Sequence, residues 1–263
     1  LGSLKIGRQK FRCNKRHEWI DLYESVVQSC NVYFWELAEE VGLERINRFA
    51  HAFGFAERTG IGVNSEAKGF LATREWYAEH YGKFRIGYTL NTAIGQGNTR
   101  VTVLQLALAY AAIANGGTLY APQVVHNVRA PDGSLSETFQ PRARHDVGVS
   151  PQHLELMRRA LIEVVQEETG TAYKARNKDG VRVAGKTGTA QVVSRKGRSE
   201  ESSSAWYLDR SHGWFAGFAP AEDPRVAFAV LVEHGGSGGA SAAPIATAVM
   251  QQYLSTLEPE EAK

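Results

Sequence analysis

The sequence predicts an α+β fold: a helical lobe over residues 1–179, then an antiparallel sheet with a terminal helix packed on it over residues 180–263. Three observations carry this. Apolar residues recur at helical spacing in four segments before residue 180, and three short apolar, β-rich segments separated by polar turns follow it. The last of these leads into one more helical segment. Such an order of elements leaves a cleft where lobe meets sheet, a common place for a site.

The first helix is expected over residues 21–41, DLYESVVQSCNVYFWELAEEV, with Asp21 as N-cap and Gly42 as stop. An aspartate accepts from the free amides of a helix start, and glycine readily takes the left-handed residue that ends one. A second helix follows over residues 43–53. Residues 54–97 are rich in glycine, turns and aromatics, without a long periodic segment, and read as a surface excursion ending in AIGQGN. A buried helix near residues 103–115 is closed by Gly116 and Gly117, and an amphipathic one over residues 151–167 is capped by Ser150 and followed by Gly170. Beyond Gly180, residues 181–193, 212–219 and 226–233 supply three strands, and residues 243–254 the terminal helix. The short connection between the last two strands requires antiparallel pairing. The insert SRKGRSEESSSAWYLDR is charged and serine-rich and reads as a mobile loop. No internal repeat is present.

With 263 residues, 43% hydrophobic and 22% charged, the chain suits one large domain or two intimate lobes, and the composition is not that of a disordered protein. A formal net charge of +2 with scattered signs argues against nucleic acid as a partner. The longest charge-free run, residues 101–128, is interrupted by Asn115, Gly116, Gly117 and Pro122, leaving about 14 apolar residues where roughly 20 are needed to span a bilayer. It reads as a core helix. No signal peptide or anchor is visible; Leu1 is not an initiating residue, so a longer polypeptide is expected.

Residues 180–193, GVRVAGKTGTAQVV, contain two motifs at once. From Gly180 they match the phosphate loop G-x-x-x-x-G-K-T, which needs a buried strand before it and a helix after it. Neither flank fits: KARNKD precedes, Thr-Ala-Gln-Val-Val follows, and Val181, Val183, Thr187 and Thr189 keep a strand-like character throughout. From Lys186 the same residues read K-T-G-T-A, a strand edge; a plain surface hairpin is the alternative.

Together with Ser29-Cys30-Asn31 on the first helix, that strand resembles two of the three motifs of penicillin-binding transpeptidases and serine β-lactamases, in the same chain order. The resemblance extends over nearly the whole chain, because FGFAERTGI, AIGQGN, ANGGTLYAPQVV, WFAGFAP, VLVEHGG and SAAPIA are similar to segments of class B enzymes close to penicillin-binding protein 2. It implies that the chain is the C-terminal portion of one transpeptidase domain and that an extended acyl-D-Ala-D-Ala peptide adds alongside residues 186–190, where Gly188 leaves room for a close backbone approach. Lys186 and the hydroxyls of Thr187 and Thr189 would hold the substrate's carboxylate, and the Thr189 amide would point into the oxyanion hole. Ser29 would relay a proton to the leaving amine while the Asn31 amide holds a substrate carbonyl. No cofactor for catalysis is implied.

The family's nucleophile is the serine of an S-x-x-K motif that precedes S-x-N. Here S-x-x-K occurs only as Ser65-Glu66-Ala67-Lys68, after Ser29 and within the glycine-rich excursion, and it reads as a chance match. The nucleophile is therefore expected upstream of Leu1, and the chain is expected to be inactive alone. Two departures from the family pattern, Gly62-Val63 after Thr59-Gly60-Ile61 and Thr102-Val103-Leu104-Gln105, touch loop detail rather than chemistry.

Both cysteines fall in the first thirty residues, and Cys13-x3-His17 with Cys30 would supply three vertices of a tetrahedral zinc site. In some relatives of penicillin-binding protein 2 the matching positions bind zinc, with an aspartate earlier in the chain. A Cys13 to Cys30 disulfide and two unrelated thiols are the alternatives. The reading that the resemblance favours is a peptidoglycan D,D-transpeptidase trapped by β-lactams; a β-lactamase and a noncatalytic β-lactam sensor are the others. The resemblance also implies an extracytoplasmic, membrane-anchored location, held by a segment not in this chain, and work with a SEDS-family glycan polymerase.

Overall fold

The computed structural model describes residues 2–192 and 209–257. The charged insert, but for its last two residues, and Val193 at the end of the first expected strand lie outside them.

The chain opens with a hairpin, β1 (Ser3–Ile6) and β2 (Gln9–Arg12), then α1 (Leu22–Val27), α2 (Asn31–Val41) and α3 (Leu43–Ala52). The expected first helix is thus two. Ser29 stands at φ +56, the Ser29 amide turns back to Val26 O, and the Cys30 amide turns back to Ser25 O. Each half faces a different core. Val26 and Val27 join the main core with Leu161, Val164 and Phe215, whereas Val32, Trp35 and Ala38 pack with Phe11 and Leu90. One straight rod could not serve both, and a shared helical period hides the break. The ends hold as expected: Asp21 Oδ1 accepts from Glu24 N at 2.8 Å, and Gly42 closes α2 at φ +79.

Residues 54–97 are not all excursion. They contain β3 (Phe70–Leu71), α4 (Arg74–Tyr81) and α5 (Ile86–Ala93), after which β4 (Thr99–Arg100) pairs with β3. Each helix has eight residues, scarcely two turns, so no periodicity accumulates. Their aromatics fix them instead, with the Tyr77 and Tyr88 rings stacked at 4.0 Å.

Next comes α6 (Val103–Ala114), begun by a reciprocal cap between Thr102 and Gln105. Buried Gln105 also donates to Glu57 O at 2.6 Å and Lys68 O at 2.9 Å, tying the preceding loop to the helix start. Residues 118–146 form the pairs β5 (Thr118–Ala121) with β8 (Arg142–Asp146) and β6 (Asn127–Arg129) with β7 (Leu135–Thr138). Ser150 caps α7 (Pro151–Gln166), accepting from His153 N. The sheet is β9 (Ala184–Ala190), β10 (His212–Ala219) and β11 (Val226–Val232), antiparallel in the order β11-β10-β9, and α8 (Ala242–Leu257) packs on it. β9 starts later than expected because Val181 N bonds the Gln251 side chain on α8 instead of a ladder partner. Phe215, Phe218, Leu161, Val164 and Ala246 lie in the core between sheet and helices. Among the described residues, no helix is long and apolar enough to cross a membrane.

Candidate functional site

Among the described residues β9 is the edge of its sheet and pairs with β10 alone, so one side of the Lys186 to Ala190 run faces outward. Within an antiparallel strand the N–H and C=O of one residue point the same way, and the direction alternates along the chain. The Thr189 carbonyl accepts from Gln96 Nε2 at 2.8 Å, on the side away from β10. The Thr189 amide therefore points outward too, as do the backbone groups of Thr187. An edge with outward N–H and C=O groups can take an added extended peptide by main-chain hydrogen bonds.

Lys186 is partly buried, and loss of water around its ammonium pulls its pKa down to about 8. Its Nζ donates to Thr187 O at 3.3 Å. The Thr187 hydroxyl lies 2.6 Å from that of Thr171, on the turn after α7. Gly188 makes room for Trp214 on the neighbouring strand, because a Cβ there would stand 3.1 Å from the Trp214 Cβ. A side chain at Gly238 would run into the Gly188 and Trp214 carbonyls, so the loop before α8 seats on β9 and β10 through glycine.

Ser29 and Asn31 occupy the break between α1 and α2, Ser29 in left-handed backbone and Asn31 as the first residue of α2. Among the described residues, no hydrogen bond joins either to Lys186. The lobe reaches the strand through Gln96: α5 packs on α2 around Leu90 and Trp35, and its C-terminal turn carries Gln96 to Thr189.

Behind the same break, the ligand atoms of Cys13, His17 and Cys30 all lie within 4.8 Å of one another. Both cysteines are free thiols, against the disulfide alternative. The Asn31 amide donates to Cys13 Sγ at 3.2 Å, and His17 Nδ1 lies 3.2 Å from Gln28 Oε1. With Nδ1–H donating to Gln28 Oε1, His17 Nε2 keeps a lone pair for a metal. Burial, more than any neighbour, pushes the Cys30 thiol up. Four ligands at about 2.0 to 2.3 Å from one zinc stand roughly 3.3 to 3.8 Å apart, so the three residues fit that ion after a small contraction.

The remaining S-x-x-K match falls apart as a catalytic motif. Ser65 has φ +61 in a turn, and the next helix starts only at Arg74. Two residues of the site were not singled out by the sequence: Thr171 is one threonine after Gly170, and Gln96 lies in the AIGQGN segment that carries the resemblance, with no pattern that gives its side chain a partner.

Residues 5–251 match the family described as the penicillin binding protein transpeptidase domain. The peptidoglycan D,D-transpeptidase MrdA of Acinetobacter baumannii is 36% identical over 255 residues, which are 94% of this chain and 37% of that protein. Penicillin-binding protein PBP2 from Helicobacter pylori, solved in complex with MreC, superposes with a TM-score of 0.80 at 30% identity, covering 97% of this chain and 44% of that one. PBP2 of Pseudomonas aeruginosa, solved in complex with WCK 5153, gives a TM-score of 0.79 at 31% identity, covering 96% and 52%. The chain thus spans well under half the length of the curated relative.

Proposed function

The chain belongs to the penicillin-binding protein transpeptidase family, and from this premise we propose that the polypeptide carrying it is a peptidoglycan D,D-transpeptidase working through a serine acyl-enzyme. The observation that carries the reading is the K-T-G-T-A strand on a sheet edge, with both backbone groups of Thr189 turned outward and the Ser29-Cys30-Asn31 break on the lobe that reaches it.

In this reading a stem peptide ending in D-Ala-D-Ala lies along β9. Lys186 as ammonium attracts the terminal carboxylate together with the Thr189 hydroxyl, and Gly188 keeps the strand seated on Trp214. Thr187 contributes through its hydroxyl, which is hydrogen-bonded to that of Thr171. A serine oxygen of an upstream S-x-x-K motif bonds to the carbonyl carbon of the penultimate D-Ala while the Thr189 amide steadies the oxyanion. Ser29 passes the proton to the departing amine, D-Ala leaves, and Asn31 holds the donor's amide carbonyl. An amine of a neighbouring stem then takes the acyl group and restores the serine. A β-lactam follows the first step and stops at the ester.

Cys13, His17 and Cys30 would hold a structural zinc, whose positive charge keeps both thiols ionised. Through Cys13 Sγ and the Asn31 amide, these residues set the start of α2. An extracytoplasmic location, a membrane anchor elsewhere in the polypeptide, and partners such as MreC, seen with the Helicobacter protein, or a SEDS-family polymerase belong to the same proposal.

The test is acylation of the full polypeptide by a fluorescent penicillin. A long-lived covalent adduct is expected. Rapid hydrolytic turnover would make it a β-lactamase, and absence of any adduct would remove the catalytic reading.

A further inference from the structure

Gln96 stands where an incoming peptide would have to bond. Its Nε2 donates to Thr189 O at 2.8 Å, on the outward side of the β9 edge. Extending the sheet by one strand uses the outward groups of that edge, and Thr189 offers two: an N–H and a C=O. The N–H is needed for the oxyanion. The C=O is the acceptor left for a donor's backbone amide, and in the free protein Gln96 already fills it.

The backbone around Gln96 suits a side chain that is positioned yet able to leave. Its amide bonds Asn91 O at 2.9 Å, so the residue is fixed to the end of α5 and, through the Leu90 and Trp35 packing, to the helix that carries Asn31. Gly95 at φ +72 and Gly97 at φ +77 flank it in left-handed backbone, and a Cβ at Gly97 would stand 3.3 Å from that of Asn91. The glycines let the chain turn tightly enough to present one carboxamide to the strand.

We propose that Gln96 is a specificity-determining residue of the acyl-donor site: its carboxamide holds the Thr189 carbonyl as a placeholder and yields it to ligands that bring a backbone-like N–H of their own. The inference rests on the transpeptidase reading. A ligand with that N–H displaces one neutral hydrogen bond and regains one. A ligand without it gains nothing by displacing Gln96, so the contact bears unequally on the two classes.

The experiment uses the full polypeptide with Gln96→Leu, which keeps volume and removes the donor, and Gln96→Ala as a second variant should the first fold poorly. Acylation is followed with benzylpenicillin, whose side-chain amide has the N–H, and with the sulfone of 6-unsubstituted penicillanic acid, which has none. Binding and acylation steps are separated by varying ligand concentration. The preference for benzylpenicillin over the sulfone is expected to rise about two- to tenfold, the range for releasing one neutral hydrogen bond, and to appear in the binding constant rather than the acylation step. An unchanged or lowered preference in both variants, while wild type is acylated normally, overturns the placeholder alone. Wild type that reacts with neither ligand overturns the transpeptidase reading and this proposal with it.

Discussion

The hydroxyls of Thr171 and Thr187 lie 2.6 Å apart, one on the turn after α7 and one on β9. Two hydroxyls at that distance share one proton, so the rotamer of Thr171 decides whether Thr187 can donate toward a ligand. Thr171→Val removes the partner without changing shape, and Thr171→Ser keeps it. We expect a roughly two- to tenfold loss in β-lactam binding for Val, with near-complete rescue by Ser and little change in the acylation step. Equal losses in both variants would mark a packing effect.

Lys186 ties pH to both function and stability. Its folded pKa, near 8, lies below its ordinary value of 10.5 because burial disfavours the charged form. Below about pH 8 both states carry the proton, and the buried charge costs stability. Between about 8 and 10.5 the unfolded chain binds more protons, so Lys186's contribution to stability should rise with pH across that window. Carboxylate binding runs the other way, weakening as the ammonium is lost above pH 8. Lys186→Ala should slow acylation by roughly thirty- to a thousandfold, the effect of losing a charge-assisted contact at a desolvated site. In Lys186→Arg, the alkaline fall in binding should move above pH 10, since guanidinium stays protonated. A fall that stays near pH 8 would assign it to another group.

Much of this was legible because caps and periods are local. Asp21, Thr102 and Ser150 each accept from a helix amide near their own position in the chain. The sheet could be read for a similar reason, since alternation and short turns are local signals. What escaped depends on distant partners. The break at Ser29 follows from two cores that claim opposite ends of one amphipathic segment, and the short helices α4 and α5 owe their order to aromatic stacking. Gln96 meets Thr189 across 93 positions of chain, a distance over which no periodicity reports.

Ser29 gives a test in which stability and chemistry separate. At φ +56 a serine carries left-handed strain that glycine does not, so Ser29→Gly should be more stable than Ser29→Ala by about 1 kcal/mol in urea unfolding. Neither variant has a hydroxyl to relay a proton. Both should therefore lose acylation to a similar degree despite their different stabilities. If activity instead tracked stability, the hydroxyl would have no part in the reaction.

The metal reading makes a claim about thiols as well as metal. Cys13, His17 and Cys30 already stand close enough for one ion to draw them together, and Cys13 Sγ receives the amide of Asn31. Full polypeptide purified without added metal should contain about one zinc per chain, and after removal of the metal with a chelator two thiols should titrate once the chain is unfolded, because Cys30 is buried in the folded state. Stability should fall on removal, more steeply at neutral than at acidic pH, because protons compete with metal for the same ligands. Cys13→Ser should weaken zinc binding and also slow β-lactam acylation, since the sulfur it replaces meets both the ion and the first amide of α2. A metal-free polypeptide with no titratable thiols would mean a disulfide, whose sulfurs sit near 2.05 Å, too close for both to ligate one zinc tetrahedrally. Two free thiols and no metal would leave Cys13 its hydrogen bonds from the Asn31 amide and to Asn14 Oδ1, and Cys13→Ser would then preserve acylation, because a serine hydroxyl can make both.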